Sequence, residues 1–137
     1  MKNTKTLFTI ILIGALILEL GNCNLKAAGL TWDIDWDAQG FSKMKTTAYC
    51  MGHHTANGSA VHIGGCAASA DHMGDLAVVY TISGEYVGIY EVNDTGGTDA
   101  IREGRVIDVY FPTYELCEEY MKLTEGKCYV KWVKGNG

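Results

Sequence analysis

The alternation of apolar and polar residues after residue 43 predicts mostly strands. Runs rich in Val, Ile, Tyr and Thr with a period of two are typical of half-buried strands. Such runs lie at 44–49, 76–82, 85–92, 106–111 and 128–133. Ser83 and Gly84 separate the second run from the third, which indicates a tight turn. The pattern therefore predicts a mainly β domain built as a compact sheet or barrel.

One segment has the period of a helix instead. Within 114–123, the apolar residues Leu116, Tyr120 and Leu123 fall on one helical face. Thr113 precedes the segment and can accept a hydrogen bond from its first turn. We therefore predict a short helix between the last two strands.

The first 28 residues have the layout of a secretory signal peptide. Lys2 and Lys5 precede an apolar run over 7–18, and two small residues stand at 27–28. The run is shorter than the roughly 20 residues that a membrane-spanning helix needs. We therefore expect cleavage after residue 28, no stable membrane insertion, and a protein that is secreted or associated with the cell wall.

Cys23 leaves a lipid anchor open as an alternative. A cysteine just after the apolar run of a signal can be acylated. Asn22, however, stands where bacterial lipoprotein signals have a small residue. The sequence therefore favours free secretion over a lipoprotein.

Removal of the leader leaves an extended segment at 29–43 and a single domain at 44–137. It takes three lysines and one glutamate from the 11 basic and 16 acidic residues, which leaves 8 and 15 and a net charge of −7. Nucleic-acid binding requires a basic surface, so the acidic balance argues against it. We expect a monomer with an uncharged or weakly charged substrate.

Four cysteines remain after the leader, and an even number in a small exported domain favours disulfides. They are Cys50, Cys66, Cys117 and Cys128. Of the three pairings, we prefer Cys50 with Cys66 and Cys117 with Cys128, because each closes a short loop worth roughly 3 kcal/mol. A zinc site is the alternative, but the chain lacks a C-x-x-C pair.

The segment before the first strand suggests two further ligands, both of which we disfavour. Asp33, Asp35 and Asp37 alternate as at the start of a calcium loop, but the glycine and terminal glutamate of an EF-hand are absent. Trp32 and Trp36 have faces that suit sugar rings, although we expect them to pack against the barrel. We therefore predict no metal and no cofactor.

Two aspartates are the strongest candidates for chemistry. Asp94 precedes a flexible glycine turn, and Asp108 lies between Ile107 and Val109 in an apolar run. A charge in such a run is costly unless it has a partner or a function. The polar face of a half-buried strand is the alternative explanation.

Five short motifs occur in a characteristic order. They are Thr47-Ala48-Tyr49, Thr55-Ala56-Asn57-Gly58, Ala68-Ser69-Ala70-Asp71, Asp94-Thr95-Gly96-Gly97 and Arg105-Val106-Ile107-Asp108-Val109-Tyr110. Together they resemble the 3D domain, a family named for three aspartates. Stationary-phase survival proteins of spore-forming bacteria and the catalytic part of membrane-bound lytic transglycosylase A share this domain. The resemblance covers about residues 45–133.

The resemblance implies a six-stranded double-psi β-barrel with one or two short helices. It also implies cleavage of peptidoglycan glycan strands between N-acetylmuramic acid and N-acetylglucosamine, with 1,6-anhydro ends as products. By motif position, Asp108 matches the catalytic acid and base, Asp94 a second acid and Asp71 a third that orients the site. The motif residues expected to contact substrate are Thr47, Tyr49, Thr95, Gly96 and Gly97.

The chain departs from the family in two places. Met73-Gly74-Asp75-Leu76 keeps only the glycine of the usual Pro-Leu-Gly-Thr stretch, and extra residues around Thr98-Asp99 lengthen the loop between the central acids. We expect this loop to reshape or cover the groove. Two alternatives to a lytic transglycosylase stay open: an expansin-like barrel that binds glycan without cutting it, and a disulfide-stabilised secreted interaction protein.

Overall fold

Six strands and two helices form the part of the chain that the computed structural model describes, residues 34–136. The strands are β1 (Ser42–Tyr49), β2 (Gly65–Ala67), β3 (Leu76–Thr81), β4 (Tyr86–Asp94), β5 (Val106–Tyr110) and β6 (Lys127–Val133). The helices are α1 (Asp99–Arg102) and α2 (Tyr114–Thr124). The predicted signal peptide, Cys23, Trp32 and Asp33 lie outside the described residues.

The strands close into a barrel in the order β1-β5-β2-β4-β3-β6, with β6 returning to β1. The pairs β1–β5 and β2–β4 are parallel, and the other four pairs are antiparallel. Parallel neighbours cannot be joined by a tight hairpin, so the chain crosses between non-adjacent strands. The prediction of a mainly β, six-stranded barrel with short helices is confirmed.

Alternating residues of the strands fill the barrel. Ile107 and Val109 of β5 are fully buried in the main core, together with Val79, Val92 and Val130 from three other strands. Helix α2 contributes Tyr120 to this core, and the Tyr120 hydroxyl lies 2.6 Å from the Thr46 hydroxyl of β1. Thr113 caps α2 as predicted, since its side chain accepts a hydrogen bond from Leu116 N.

Two elements were not visible in the apolar pattern. Strand β2 has only three residues, all buried, which is too short for alternation to be recognised. Helix α1 forms where the sequence suggested a longer loop, and it is a single turn capped by Thr98. Both elements lie next to the candidate acids, as described below.

The segment that precedes β1 turns instead of running extended. Phe41 N donates to Trp36 O, and the Asp35 carboxylate accepts a hydrogen bond from Ala38 N at 3.0 Å. The Trp36 ring stacks on Tyr129 of β6 with ring centroids 4.7 Å apart. This packing confirms the prediction for Trp36, and it gives Asp35 a local structural role.

No helix within residues 34–136 combines the length and the apolar character needed to cross a membrane.

Candidate functional site

Strand β5 presents Asp108 on the face opposite to the main core. Its neighbours Ile107 and Val109 point into the barrel, so the side chain between them points the other way. Thr47 of β1 is the register partner of Asp108, and its hydroxyl donates a 2.7 Å hydrogen bond to Asp108 Oδ1. The alternation of β5 and its register with β1 therefore place the carboxyl beside Thr47.

The surroundings of Asp108 raise the pKa of its carboxyl above the usual value. Burial is the main cause, because removal from water disfavours the charged form. The negative charge of Asp94 acts in the same direction, while the hydrogen bond from Thr47 opposes both. The balance favours a protonated carboxyl, which is the form that a general acid needs.

A β-bulge brings Asp94 to the same face as Asp108. Cys66 of β2 pairs with Val92 of β4, but the next residue, Ala67, pairs with Asp94. Strand β4 therefore advances two residues where β2 advances one, which reverses the face on which Asp94 lies. Ala67 is also the register partner of Asp108 on the other side of β2. Asp94 and Asp108 thus flank a single alanine.

The inserted residue of this bulge, Asn93, is almost fully buried and was not recognised from the sequence. A Cβ added to Gly65 of β2 would lie 2.8 Å from Asn93 Nδ2, so β2 needs a glycine at this point. The backbone carbonyl of Asn93 also accepts a hydrogen bond from Asn57 N. Asn93 therefore connects β2, β4 and the loop that supports Asp94.

Backbone groups hold the Asp94 carboxylate. Its Oδ1 atom accepts hydrogen bonds from Thr95 N at 2.8 Å and from Ala56 N at 3.1 Å. Two backbone donors suit a negatively charged acceptor. The neighbours of Ala56 in the sequence hold its backbone N–H in place. Thr55 Oγ1 donates a 2.7 Å hydrogen bond to Asn57 Oδ1 across Ala56. The Thr55-Ala56-Asn57-Gly58 motif therefore positions Asp94.

The glycine turn after Asp94 packs on α1. Gly96 has a positive φ of 61°, and a Cβ there would lie 2.6 Å from Ile101 Cδ1. Ile101 is 4% exposed and forms a small second core with Ala67 and Val106. The extra residues between the two acids therefore form a helical turn beneath the glycine turn. The structure gives no support to a loop that covers the site.

We expect Gly96→Ala to destabilise the protein by about 1–3 kcal/mol, because alanine at this position meets both an unfavourable φ and the Ile101 side chain. Thermal unfolding of the variant would measure the loss. Gly97→Ala is the matched control, because a Cβ on Gly97 meets no atom within 4 Å. Equal stability of the two variants would contradict the proposed packing of the turn.

Tyr49 extends the site from the end of β1. Its hydroxyl is buried and has no hydrogen-bond partner among the described residues. Burial raises the pKa of the Tyr49 phenol above its usual value, and the charges of Asp94 and Asp108 raise it further. The ring packs edge-on against Tyr110 with centroids 5.4 Å apart. Tyr49 therefore offers a protonated hydroxyl close to both acids.

No side-chain hydrogen bond between described residues joins Asp71 to this cluster. It stands on a 3₁₀ turn, Ala70–His72, where it is exposed and makes no side-chain hydrogen bond to another described residue. The turn is well anchored, since the His72 ring stacks on Trp132 at 3.9 Å and its Nδ1 lies 3.1 Å from the Asp75 carboxylate. The role predicted for Asp71 stays a prediction.

All four cysteines of the domain are free thiols, so neither preferred disulfide is present. Cys66 is fully buried inside the barrel on β2, whereas Cys50 is half-buried. Cys117 of α2 is buried, and burial raises the pKa of its thiol. The preferred pairing of Cys50 with Cys66 and of Cys117 with Cys128 stays a prediction.

Comparison of the chain with protein-family models and with curated proteins gave no match. The assignment to the 3D domain is therefore a proposal that rests on the motif order and on the site geometry.

The two acids lie outside two surface cavities of the domain. Two surface cavities of about 430 and 210 Å³ lie elsewhere, the first lined by basic residues at the start of β1 and β5, the second by apolar residues of α2 and β4. Neither cavity is lined by Asp94 or Asp108. Within residues 34–136, no group of three or more His, Cys, Asp and Glu side chains is arranged to hold a metal ion.

Proposed function

We propose that this protein is a secreted lytic transglycosylase that cleaves peptidoglycan between N-acetylmuramic acid and N-acetylglucosamine. The observation that carries the proposal is the half-buried Asp108 carboxyl, whose pKa is raised by burial and by the charge of Asp94. A glycosidic oxygen is a poor leaving group and must be protonated as the bond breaks. A carboxyl whose pKa is raised is better suited to supply that proton.

The reaction proceeds through one residue in two roles. Asp108 donates its proton to the glycosidic oxygen and becomes a carboxylate. The same carboxylate then accepts the proton of the muramic acid C6 hydroxyl as that oxygen attacks the anomeric carbon. The product is a 1,6-anhydro ring, and Asp108 is again protonated. The nucleophile belongs to the substrate, so no water enters the bond-forming step.

The other residues of the cluster have supporting roles. Asp94, fixed by two backbone donors, favours protonation of Asp108 and faces the positive charge that develops on the sugar. Tyr49 stays a predicted substrate contact of its motif, but its hydroxyl is buried and has no partner among the described residues. Thr47 orients the Asp108 carboxyl through its 2.7 Å hydrogen bond. Thr95, Gly96 and Gly97 form the adjoining edge on which substrate contacts are expected.

A second candidate is a barrel that binds wall glycan without cutting it. The position of both acids outside the two cavities favours it, because catalysis gains from a site that excludes water. In this alternative, Asp94 and Asp108 are hydrogen-bonding partners for a glycan strand. The two candidates make different predictions about the products.

Incubation of the wild-type domain with purified peptidoglycan sacculi distinguishes them. We expect mass spectrometry to detect soluble muropeptides with 1,6-anhydro ends. Release of reducing ends instead would identify a hydrolase, in which water is the nucleophile and a second carboxylate acts as base. Sedimentation with sacculi without any released product would replace the enzyme by the binding module.

Replacement of Thr47 by valine tests the protonation of Asp108. The Thr47 hydrogen bond lowers the pKa of Asp108, so its loss raises that pKa further. A general acid is active while protonated, and the rate falls as pH rises through its pKa. We therefore expect the alkaline limb of the pH–rate profile to move to higher pH in Thr47→Val. Lys43→Ala, on the same strand, is the control, and its pH–rate profile should match that of the wild type. An unchanged alkaline limb in Thr47→Val as well would contradict a role of Thr47 in the protonation of Asp108.

A further inference from the structure

The larger surface cavity, of about 430 Å³, is bordered by basic side chains. Lys45 of β1, Lys127 of β6 and Arg105, which directly precedes β5, are among the residues that line it. Ligand-binding pockets have volumes of roughly 300–1,000 Å³, and this cavity falls within that range. It therefore has room for a charged group together with part of the molecule that carries the charge.

Lys45 and Lys127 lie opposite each other across the antiparallel pair of β1 and β6. They are register partners, and both are exposed. The residues that follow them, Thr46 and Cys128, are buried, so both lysines point away from the core. Like charges directly opposite each other destabilise a sheet. The fold therefore keeps a repulsive pair of charges at the border of the cavity.

Neither lysine has a counter-ion among the described residues. The ion pairs of residues 34–136 involve other basic side chains, which are His72, Arg102, Arg105 and Lys134. Arg105 is paired with Glu103 at 2.6 Å between Nη2 and Oε2, so its charge is partly compensated. Two uncompensated ammonium groups beside a cavity attract an anion, to which they can donate charge-assisted hydrogen bonds.

The lysine pair lies on the same outer face of the barrel as Asp108. Thr47 follows Lys45 by two residues, so the two side chains share one face of β1. Their backbone positions are roughly 6–7 Å apart, at about 3.3 Å per residue. Thr47 is the residue that donates a hydrogen bond to Asp108 Oδ1. One extended substrate can therefore contact both Asp108 and the lysine pair.

The overall charge of the domain limits the kind of anion that fits. With 8 basic and 15 acidic residues after the leader, the domain repels a densely charged polymer. Single carboxylates on an otherwise uncharged glycan meet much less of this repulsion. The peptides of peptidoglycan carry such carboxylates, and they are attached to N-acetylmuramic acid, one of the two sugars at the bond that Asp108 is proposed to cleave.

We propose that the cavity at Lys45, Lys127 and Arg105 is a subsite for a carboxylate of the peptide on the glycan strand. The inference rests on the proposed function, because that function supplies the strand and its peptide. The two ammonium groups donate hydrogen bonds to the carboxylate, and its negative charge offsets their mutual repulsion. The subsite anchors the strand beside Asp108 and takes no part in proton transfer. It therefore contributes to substrate binding and not to the chemical step.

Sedimentation with chemically modified sacculi tests the subsite. The Asp108→Asn variant is used, so that the sacculi stay intact during the measurement. Its binding is compared for untreated sacculi, for sacculi freed of phosphate polymers with hydrofluoric acid, and for sacculi whose carboxylates are converted to neutral amides. We expect amidation to weaken binding roughly five- to thirtyfold, the effect of two exposed ion pairs, and removal of phosphate to leave it unchanged. Weakening by removal of phosphate and not by amidation would overturn the proposal.

Substitution of the lysines locates the effect on the protein. In the Asp108→Asn background, Lys45→Gln with Lys127→Gln should bind untreated sacculi as weakly as the parent binds amidated sacculi. Lys122→Gln is the matched control, since Lys122 is an exposed lysine of α2 that lines neither cavity, and it should bind like the parent. Because the repulsion is relieved, the Tm of the double variant should equal or exceed that of the parent. Undiminished binding by the double variant, or a lower Tm, would contradict the subsite.

Cleavage assays distinguish failure of this inference from failure of the proposed function. With Asp108 intact, the two lysine substitutions should raise the apparent KM for sacculi and leave kcat and the alkaline limb of the pH–rate profile unchanged. An unchanged KM together with 1,6-anhydro products would overturn the subsite and keep the enzyme. Binding that depends on carboxylates, without any cleavage by the wild type, would keep the subsite and replace the enzyme by the binding module.

Discussion

Replacement of Asp108 by asparagine is expected to lower the rate of glycan cleavage by roughly 10²–10⁴-fold, the usual contribution of a general acid. Asparagine keeps the shape of the side chain and can still accept the hydrogen bond from Thr47. Its amide cannot transfer a proton to the glycosidic oxygen, as a carboxylic acid can. The appearance of 1,6-anhydro muropeptides from sacculi would measure the loss. Binding to sacculi should change much less than cleavage.

A stability measurement distinguishes the loss of the catalytic acid in Asp108→Asn from misfolding of the variant. The raised pKa of Asp108 means that the folded protein favours the protonated carboxyl. The contribution of this carboxyl to protein stability is fully present below its pKa in the unfolded chain. It is lost as pH rises through the higher pKa that the carboxyl has in the folded protein. Asp108→Asn has no such loss, so at neutral pH it should be at least as stable as the wild type. Asp37→Asn, on an exposed turn, is the control that should keep full activity.

A wild-type rate in Asp108→Asn would remove Asp108 from the mechanism while leaving the fold untouched. The same assay on Asp71→Asn measures whether the exposed third aspartate contributes. A loss comparable to that of Asp108→Asn would restore the predicted role of Asp71 in the site.

The second large effect is expected from Ile101→Ala, at about 2–4 kcal/mol of unfolding free energy. Ile101 is 4% exposed and packs with Ala67 and Val106. Its side chain also lies directly under Gly96, so a cavity there removes the support of the turn that follows Asp94. Chemical denaturation would measure the loss of stability, and the rate of cleavage should fall as well because Asp94 is less well held.

Ile89→Ala is the matched control, since Ile89 of β4 is 50% exposed and the same atoms are removed. It should cost well under 1 kcal/mol. Similar losses in the two variants would show that α1 does not support the site.

Much of the barrel could be predicted because its strands alternate regularly. Ile107 and Val109 are buried and Asp108 is not, as a period of two requires. The Thr113 cap and the apolar face of α2 followed from the same kind of local rule. The placement of Thr47 beside Asp108 was not predicted, because it depends on the register of β1 with β5.

The alignment of the two acids could not be predicted from alternation. Simple alternation along β4 puts Asp94 on the same side as Val92, which points into the core. The bulge at Asn93 reverses that side, and a bulge depends on pairing with β2, a strand too short to be recognised.

The position of Ala67 between the two acids fixes how far apart they stand. Asp94 and Asp108 are two strand spacings apart, roughly 10 Å between backbone positions, and backbone hydrogen bonds maintain that span. The barrel, and not a mobile loop, therefore sets the distance between the two backbone positions. Under the proposed function, two separate points of one bound sugar contact the two acids, and lengthening either aspartate to glutamate would change the reach of its carboxyl by about one carbon–carbon bond.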